Sequence, residues 1–151
     1  MTGAAIQILR GLNSVLVVDD DADTAALVCQ IIHRLCPDVH TADVRGGVEA
    51  MEYLRRRGRH AAAPRPDAIL LDLEMPEMSG LAVLDLLAGE PDLRRIPVAM
   101  LTGLDDEDAR RRALQAGACE YALKPLAPEL LTAVLGETLA CCLAAAKEPR
   151  P

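Results

Sequence analysis

The sequence predicts one α/β domain in which short strands alternate with helices around a parallel sheet. Its 151 residues fit a single domain, and no internal repeat is visible. Half of the residues are apolar, but the chain has no Phe, no Trp and only two Tyr, so its core is built mainly from aliphatic side chains. β-branched runs alternate with segments of helical periodicity, which favours right-handed βαβ units and one sheet covered on both sides.

The first half of the chain predicts two strand–helix units. Residues 14–18 form a short, apolar, β-branched run that is typical of a buried strand. Apolar residues with helical spacing follow over residues 22–36, and Pro37 ends that helix. Residues 39–42 predict a weaker second strand, and residues 46–57 a second helix whose Arg run faces outward.

The second half predicts three further units after a Pro- and Ala-rich connector over residues 59–66. The apolar run between Asp67 and Asp72 is short and uninterrupted, as in a strand buried on both faces. Pro97 is tolerated at the first position of the next strand. The remaining expected elements are helices over residues 80–88, 105–116 and 127–147, and strands over residues 97–101 and 119–123.

The composition argues against several classes of protein. The formal net charge of −7 argues against a chain that coats nucleic acid or an anionic membrane surface. We find no run of about 18 uncharged apolar residues, which argues against a membrane span. The five cysteines are odd in number and lack metal-binding spacing, so we expect reduced thiols in a cytoplasmic protein.

The expected domain covers residues 14–147. We expect residues 1–13 to form a loose N-terminal extension, because they carry one Arg and only a very short apolar run. They do not resemble a secretory signal. Residues 148–151 are expected to form a C-terminal tail.

Chemically active side chains stand where the predicted strands end. Asp19 and Asp20 follow the first strand, Asp72 follows the third, Thr102 the fourth and Lys124 the fifth. These ends share one edge of a parallel sheet, where open α/β folds place their ligands. Two carboxylates about 4 Å apart repel by roughly 4 kcal/mol at an effective dielectric of 20. Three carboxylates and one ammonium group therefore favour a divalent cation, and magnesium suits them best.

A hydroxyl and an ammonium group beside that cation are donors for phosphoryl oxygens, and a carboxylate can accept a phosphoryl group. Each feature taken alone also has a structural interpretation. Asp72 could cap the next helix or begin a turn, and the acidic run 19–21 could be a solvated helix cap. Thr102 could be the N-cap of the next helix, and Lys124 could be an ordinary surface residue. All of these interpretations must hold together at matching strand ends, which makes the site the better hypothesis.

The order of the motifs resembles the receiver domain of bacterial two-component response regulators over about residues 14–139. The resemblance implies a flavodoxin-like (βα)5 fold, with a doubly wound parallel sheet in the strand order 2-1-3-4-5. Residues 59–66 and 93–97 are also similar to stand-alone receivers paired with phytochrome-type kinases. The motifs that carry the resemblance are Val17-Val18-Asp19-Asp20, Leu71-Asp72-Leu73-Glu74-Met75-Pro76 with Gly80, Leu101-Thr102-Gly103, and Lys124-Pro125.

The resemblance also assigns roles to individual residues. It implies that Asp72 accepts the phosphoryl group and that Asp20 binds magnesium directly, whereas Asp19 supports the ion through water. It gives the backbone carbonyl of Glu74 as a further ligand, and it places Thr102 and Lys124 against the phosphoryl oxygens. Two structural expectations follow as well: Tyr121 is the switch aromatic, and the Lys124–Pro125 bond is cis.

The implied function is that of a phosphoacceptor in a phosphorelay, not of an enzyme, although the domain assists its own phosphorylation and dephosphorylation. The implied partner is a sensor histidine kinase or a histidine phosphotransfer protein, and no nucleic acid or membrane is expected. We expect no effector domain, so the fourth helix, fifth strand and fifth helix would signal by protein contact. Residues 138–146 are apolar on nearly every face, which favours a homodimer through the C-terminal region.

Competing functions remain open at this point. A receiver-like adaptor that is never phosphorylated would be expected to lack one of the five site residues, and none is missing. A magnesium-dependent phosphatase with an aspartyl nucleophile would show a D-x-D pattern, whereas Asp72 is followed two residues later by Glu74. A flavodoxin-like cofactor carrier would need aromatic stacking residues, which this sequence hardly has.

Overall fold

A computed structural model describes residues 9–147 of the chain. Within them, five parallel strands form one sheet in the order β2-β1-β3-β4-β5, which confirms the predicted fold class and strand order. Short 3-10 turns lie at Leu9–Gly11 and Gly58–His60. The strands are β1 (Ser14–Val18), β2 (His40–Val44), β3 (Ala68–Leu71), β4 (Val98–Thr102) and β5 (Glu120–Leu123). The helices are α1 (Ala22–Leu35), α2 (Gly47–Leu54), α3 (Gly80–Ala88), α4 (Glu107–Gln115) and α5 (Pro128–Lys147).

Several element boundaries differ from the sequence prediction by one to three residues, and two of these differences have a clear local reason. The second helix ends at Leu54 instead of residue 57, because Arg56 adopts a positive φ of 56°, which is incompatible with a right-handed helix. The fourth helix begins at Glu107 instead of residue 105. Asp106 is its N-cap, and its side chain accepts hydrogen bonds from the backbone N–H groups of Asp108 and Ala109.

The sheet separates two apolar cores, because alternate strand residues point to opposite faces. In β3, Ile69 and Leu71 pack on the side of α2, α3 and α4, whereas Leu70 packs on the side of α1 and α5. All four residues of β3 are buried, as its uninterrupted apolar run predicts. The central strand is therefore held rigidly on both faces, and so is the residue that follows it.

The segment before β1 belongs to the folded domain. Leu9 is 1% exposed and Leu12 is 5% exposed, and both pack into the core beneath α1 and α5. Residues 9–12 of the predicted loose extension are therefore packed against the domain, although the domain boundary itself stays a prediction. Residues 1–8 and 148–151 lie outside the described residues.

Helix α5 is long and apolar enough to cross a membrane by length and composition alone. Its position gives this composition a role in the fold, since Leu135, Leu139 and Cys142 are fully buried against the sheet and α1. The larger side chains of residues 138–146 are thus mostly covered within one chain. Ala144 and Ala146 are the exposed apolar residues of that segment.

The conformation of the Lys124–Pro125 peptide bond differs from the expected cis form. No peptide bond within residues 9–147 is cis, so this bond is trans and the expected cis bond is wrong. Trans is the lower-energy form of an X-Pro bond by roughly 0.5–1 kcal/mol. With this backbone the Lys124 ammonium group still reaches the end of β1.

Gly80 allows the chain to pack closely behind the end of β3. Its N–H donates a hydrogen bond of 2.9 Å to the Leu73 carbonyl. A Cβ at Gly80 would lie 2.3 Å from the backbone oxygen of Asp72 and 3.0 Å from the Cα of Leu73. Backbone atoms cannot move aside as the end of a side chain can, so only glycine fits at the start of α3 without displacing the loop.

We therefore expect Gly80→Ala to lower the free energy of unfolding by about 1–3 kcal/mol, the usual cost of overpacking. Chemical denaturation measures this change. Gly103→Ala is the matched control, since a Cβ there meets no atom within 4 Å. Equal stability of the two variants would contradict the close-packing argument.

Candidate functional site

The end of β1 supplies two carboxylates with different exposure. Asp19 is 4% exposed, and its backbone N–H continues the sheet by donating to the Val44 carbonyl at 3.1 Å. Its Oδ1 accepts a hydrogen bond from the Asp21 N–H at 2.9 Å. Asp20 is exposed. The side chain of Asp21 instead caps α1, so the acidic run combines one helix cap with two residues of the site.

Asp72 lies beside them because β1 and β3 are neighbours in the sheet. Its N–H donates a hydrogen bond of 2.9 Å to the Val18 carbonyl, which extends the ladder by one residue beyond β3. Asp72 is 8% exposed. One carboxylate oxygen from each of Asp19, Asp20 and Asp72 lies within 4.8 Å of the others. The structure thus brings together the three carboxylates that the sequence analysis placed at one edge.

Lys124 partly balances this negative charge. Its Nζ lies 2.8 Å from Asp19 Oδ2 and 3.5 Å from Asp72 Oδ2. Its own backbone N–H donates to the Thr102 carbonyl at 2.8 Å, which ties the ends of β4 and β5 together. One ammonium group facing three carboxylates leaves a negative site. A hard divalent cation with a preference for oxygen ligands fits this set of side chains.

Thr102 and Tyr121 are connected through the loop after β4. Thr102 is 1% exposed, and its Oγ1 accepts a hydrogen bond from the Leu104 N–H at 3.2 Å. Tyr121 is 5% exposed, and its hydroxyl donates to the Leu104 carbonyl at 2.6 Å. Both side chains therefore hold the same residue of this loop, one by its N–H and the other by its carbonyl.

Burial raises the pKa of Asp72 above its usual value, since the charged form loses solvation. The Lys124 ammonium group opposes this shift and the Asp19 carboxylate adds to it. Hydrogen bonds from the N–H groups of Glu74 and Leu73 also oppose the rise in the Asp72 pKa. Desolvation is the largest of these effects, so the Asp72 carboxylate is held in a setting that disfavours its negative charge.

Glu74 lies two residues beyond Asp72, and its side chain is exposed. The predicted ligand is its backbone carbonyl, which stays a prediction.

Two residues support the site through contacts that the sequence did not indicate, although one of them, Gly80, belongs to a motif of the family. Arg45 Nη1 donates to the backbone carbonyl of Asp19 at 3.0 Å, and its guanidinium group also pairs with Asp43. Gly80 packs against the backbone of Asp72. Both residues act on the backbone of a site residue, so their role depends on a three-dimensional contact and not on a motif of side chains.

The chain matches the family model for the response regulator receiver domain over residues 15–136. The chain belongs to the response regulator receiver family. Its fold is similar to the crystal structure of the phosphorylated cyanobacterial phytochrome response regulator RcpA, with a TM-score of 0.78 and 31% sequence identity. The match covers 83% of this chain and 90% of the RcpA chain. The structure of the Mn²⁺-bound form of response regulator Rcp1 is 30% identical, with a TM-score of 0.76 and the same coverage.

Sequence relatives place the receiver in the same family. Response regulator Rcp1 of Synechocystis sp. is 37% identical over 94 residues, which are 62% of this chain and 64% of that protein. The phosphate regulon transcriptional regulatory protein PhoB of Klebsiella pneumoniae is 36% identical over 120 residues, which are 79% of this chain and 48% of PhoB. The receiver thus spans less than two thirds of the length of these relatives. The family and its phytochrome-associated members confirm the predicted resemblance.

The raised pKa of Asp72 gives the stability of the receiver a pH dependence. The native state keeps the Asp72 proton to a higher pH than the unfolded state, whose pKa is near 3.8. Stability therefore falls as the pH rises from about that value through the folded pKa. Without metal, we expect Asp72→Asn to be more stable than the wild type at pH 7, with an advantage that shrinks as the pH falls through that window.

Urea unfolding in the presence of a chelator measures this difference across pH. Asp38→Asn is the control, because Asp38 lies in the exposed turn between α1 and β2, away from the site. An Asp72→Asn advantage that stayed constant from pH 3 to 7 would exclude ionisation of Asp72 as its cause.

Proposed function

We propose that this receiver accepts a phosphoryl group on Asp72 from the phosphohistidine of a sensor histidine kinase or a histidine phosphotransfer protein. The observation that carries the proposal is the meeting of three carboxylates within 4.8 Å, with Lys124 Nζ at 2.8 and 3.5 Å from two of them. Repulsion within such a cluster is unfavourable unless the site also binds a cation. The five predicted site residues of the family are all present in the chain.

Magnesium is the proposed cofactor. Asp19, Asp20, Asp72 and the backbone carbonyl of Glu74 would hold it, with Asp20 as a direct ligand and Asp19 acting through water. When bound, it would neutralise negative charge between the Asp72 carboxylate and the incoming phosphoryl group. The Mn²⁺-bound form of the relative Rcp1 supports binding of a divalent cation by this receiver.

The protein residues contribute mainly by positioning. An Asp72 oxygen forms the new bond to phosphorus while the phosphorus–nitrogen bond of the phosphohistidine breaks in line with it, and the electron pair of that bond stays on the imidazole. Lys124 is held within reach of Asp72 by its contact with Asp19. Its ammonium group would donate a hydrogen bond to an oxygen of the phosphoryl group. Thr102 would donate its hydroxyl to another phosphoryl oxygen.

The same proposal explains how the signal leaves the site. A Thr102 hydroxyl drawn towards the phosphoryl group would change the loop at Leu104, which Tyr121 holds by its carbonyl. Two packings of this loop would then differ in population. The surface of α4, β5 and α5 carries exposed apolar side chains that suit protein contact: Leu114, Leu123 and Leu130, together with Leu126 in the segment before α5.

Incubation with acetyl phosphate and magnesium, followed by intact mass measurement, tests phosphorylation directly. We expect the wild type to gain one phosphoryl group and Asp72→Asn to gain none. Asp20→Asn should need at least roughly tenfold more magnesium, since changes around metal ligands commonly cost that much affinity. Asp23→Asn is the matched control, because Asp23 is acidic and close in sequence but lies outside the cluster.

A folded wild type that gains no phosphoryl group would favour the adaptor that is never phosphorylated. Turnover of a generic phosphate ester would favour the phosphatase instead. A phosphoryl group on Asp72→Asn would assign the acceptor role to another residue.

The cellular setting follows from the family. Receiver-domain proteins are typically soluble, and we infer a cytoplasmic location where histidine kinases present their phosphohistidine.

A homodimer through the C-terminal region of α5 stays a prediction. Its remaining support is the exposed alanine surface at Ala144 and Ala146, since the larger side chains of this segment pack within the chain. Light scattering at tens of micromolar protein should give a dimer mass, with and without a phosphodonor. A monomer mass under both conditions would contradict it.

A further inference from the structure

Three cysteines meet at the edge of the sheet opposite to the carboxylates. Cys119 comes directly before β5, and Cys141 and Cys142 lie on α5. The Sγ atoms of Cys119 and Cys142 are 3.5 Å apart. The thiol of Cys141 donates to the backbone carbonyl of Cys119 at 3.4 Å. Because β3 and β5 are parallel, a residue at the start of β5 and Asp72 at the end of β3 lie at opposite edges.

The members of this thiol cluster (Cys119, Cys141 and Cys142) differ in their access to solvent. Cys119 and Cys141 are partly exposed and line a cavity of about 670 Å³ between α3, the turn before β5 and the last turns of α5. Cys142 is fully buried. A small reagent that enters the cavity therefore reaches Cys119 with Cys142 directly behind it.

Hydrogen bonding distinguishes the thiols chemically. The hydrogen bond with Cys142 lowers the pKa of Cys119, and this outweighs the opposing effect of burial. The same hydrogen bond, together with burial, raises the pKa of Cys142 well above its usual value. Burial raises the pKa of Cys141 to about 11. The thiolate is the reactive form of cysteine, so Cys119 is the favoured nucleophile of the three.

We propose that Cys119 and Cys142 form a reversible disulfide when a hydroperoxide oxidises Cys119. The Cys119 thiolate attacks the terminal peroxide oxygen, the O–O bond breaks, and the alkoxide or hydroxide takes a proton and leaves as an alcohol or water. The resulting sulfenic acid is attacked by the sulfur of Cys142. The S–O bond breaks, and its hydroxyl leaves as water with the thiol proton of Cys142. The two thiols thus give two electrons to the peroxide, and a dithiol reductant reverses the change.

The geometry requires a small movement. The two sulfur atoms must approach from 3.5 Å to about 2.05 Å, the length of a disulfide bond. Cys142 is fixed on a helix, whereas Cys119 lies in the short turn that follows Gly117, which adopts a positive φ of 110°. Rotation of the Cys119 side chain and a small shift of this turn would close the gap.

The disulfide would join the residue directly before β5 covalently to α5, and both β5 and α5 belong to the surface proposed for output. Tyr121 lies two residues after Cys119, within β5. This consequence rests on the proposed function, but formation of the bond does not. The two are tested separately, because the disulfide is detected at an edge of the sheet that does not contain Asp72.

The test treats the reduced full-length protein with hydrogen peroxide, blocks free thiols with N-ethylmaleimide, and identifies disulfides by non-reducing peptide mapping. We expect one Cys119–Cys142 disulfide per chain, which dithiothreitol reverses. In the unoxidised protein, Cys119 should react with N-ethylmaleimide roughly tenfold faster than Cys29, which burial makes less acidic. Cys29→Ser and Cys141→Ala should leave the disulfide unchanged.

Two variants separate the roles of the pair. Cys142→Ala should leave a sulfenic acid on Cys119, which dimedone traps, and should form no disulfide within the chain. Cys119→Ser should abolish oxidation of Cys142. Because Cys119 is only partly buried, this variant still tests the proposal if Cys142→Ala, which changes a buried residue, fails to fold. A folded wild type that keeps all five thiols, pairs Cys119 with Cys141, or oxidises Cys29 first would overturn the proposal.

Discussion

Repulsion between carboxylates at one edge of the sheet is the constraint on which the rest of this site depends. The register of β1 and β3 places Asp19 and Asp72 side by side, since the N–H of Asp72 bonds to the Val18 carbonyl. The sheet is held by burial on both faces, so the backbone positions of these two residues cannot move apart without breaking the packing of the central strands. The apolar core thus keeps the carboxylates of Asp19 and Asp72 close together, whereas on a flexible segment repulsion would separate them. Lys124 offsets only part of this repulsion, and the remaining negative potential makes the site suitable for a cation.

A second layer of contacts holds the backbone behind these side chains. Arg45 binds the carbonyl of Asp19, and Gly80 lets α3 approach the carbonyl of Asp72. On the other side, Thr102 and Tyr121 bind the two polar backbone groups of Leu104. The Asp72 backbone and the loop after β4 are therefore both fixed at the same edge of the sheet, by different contacts. The loop after β4 is thereby connected to β5 through the Tyr121 hydroxyl and to β4 through the Thr102 hydroxyl.

The fold and the members of the site were predictable from sequence because both depend on strong local patterns. Uninterrupted apolar runs mark buried strands, and a polar residue directly after such a run must lie at the edge of a parallel sheet. Asp19, Asp72 and Lys124 could be placed in this way without knowing any distance. The packing of Leu9 and Leu12 could not, because two leucines in a short polar segment do not specify where they are buried. The end of α2 depends on the backbone angle of Arg56, and a positive φ in an Arg residue has no sequence signal. The role of Gly80 was likewise hidden, since a glycine at a helix start has several interpretations and only the contact with Asp72 selects one.

The scarcity of aromatic residues has an optical consequence. The chain has no tryptophan, so its ultraviolet emission comes from Tyr53 and Tyr121 alone. Tyr53 is buried beside the edge of His60, and its hydroxyl has no hydrogen-bond partner among the described residues. Tyr121 donates its hydroxyl to the Leu104 carbonyl, a contact that commonly quenches phenol fluorescence. Tyr121, one of the two natural fluorophores, is thus hydrogen-bonded to the loop beside the carboxylates. A rearrangement of that loop would therefore change the emission of the unlabelled protein.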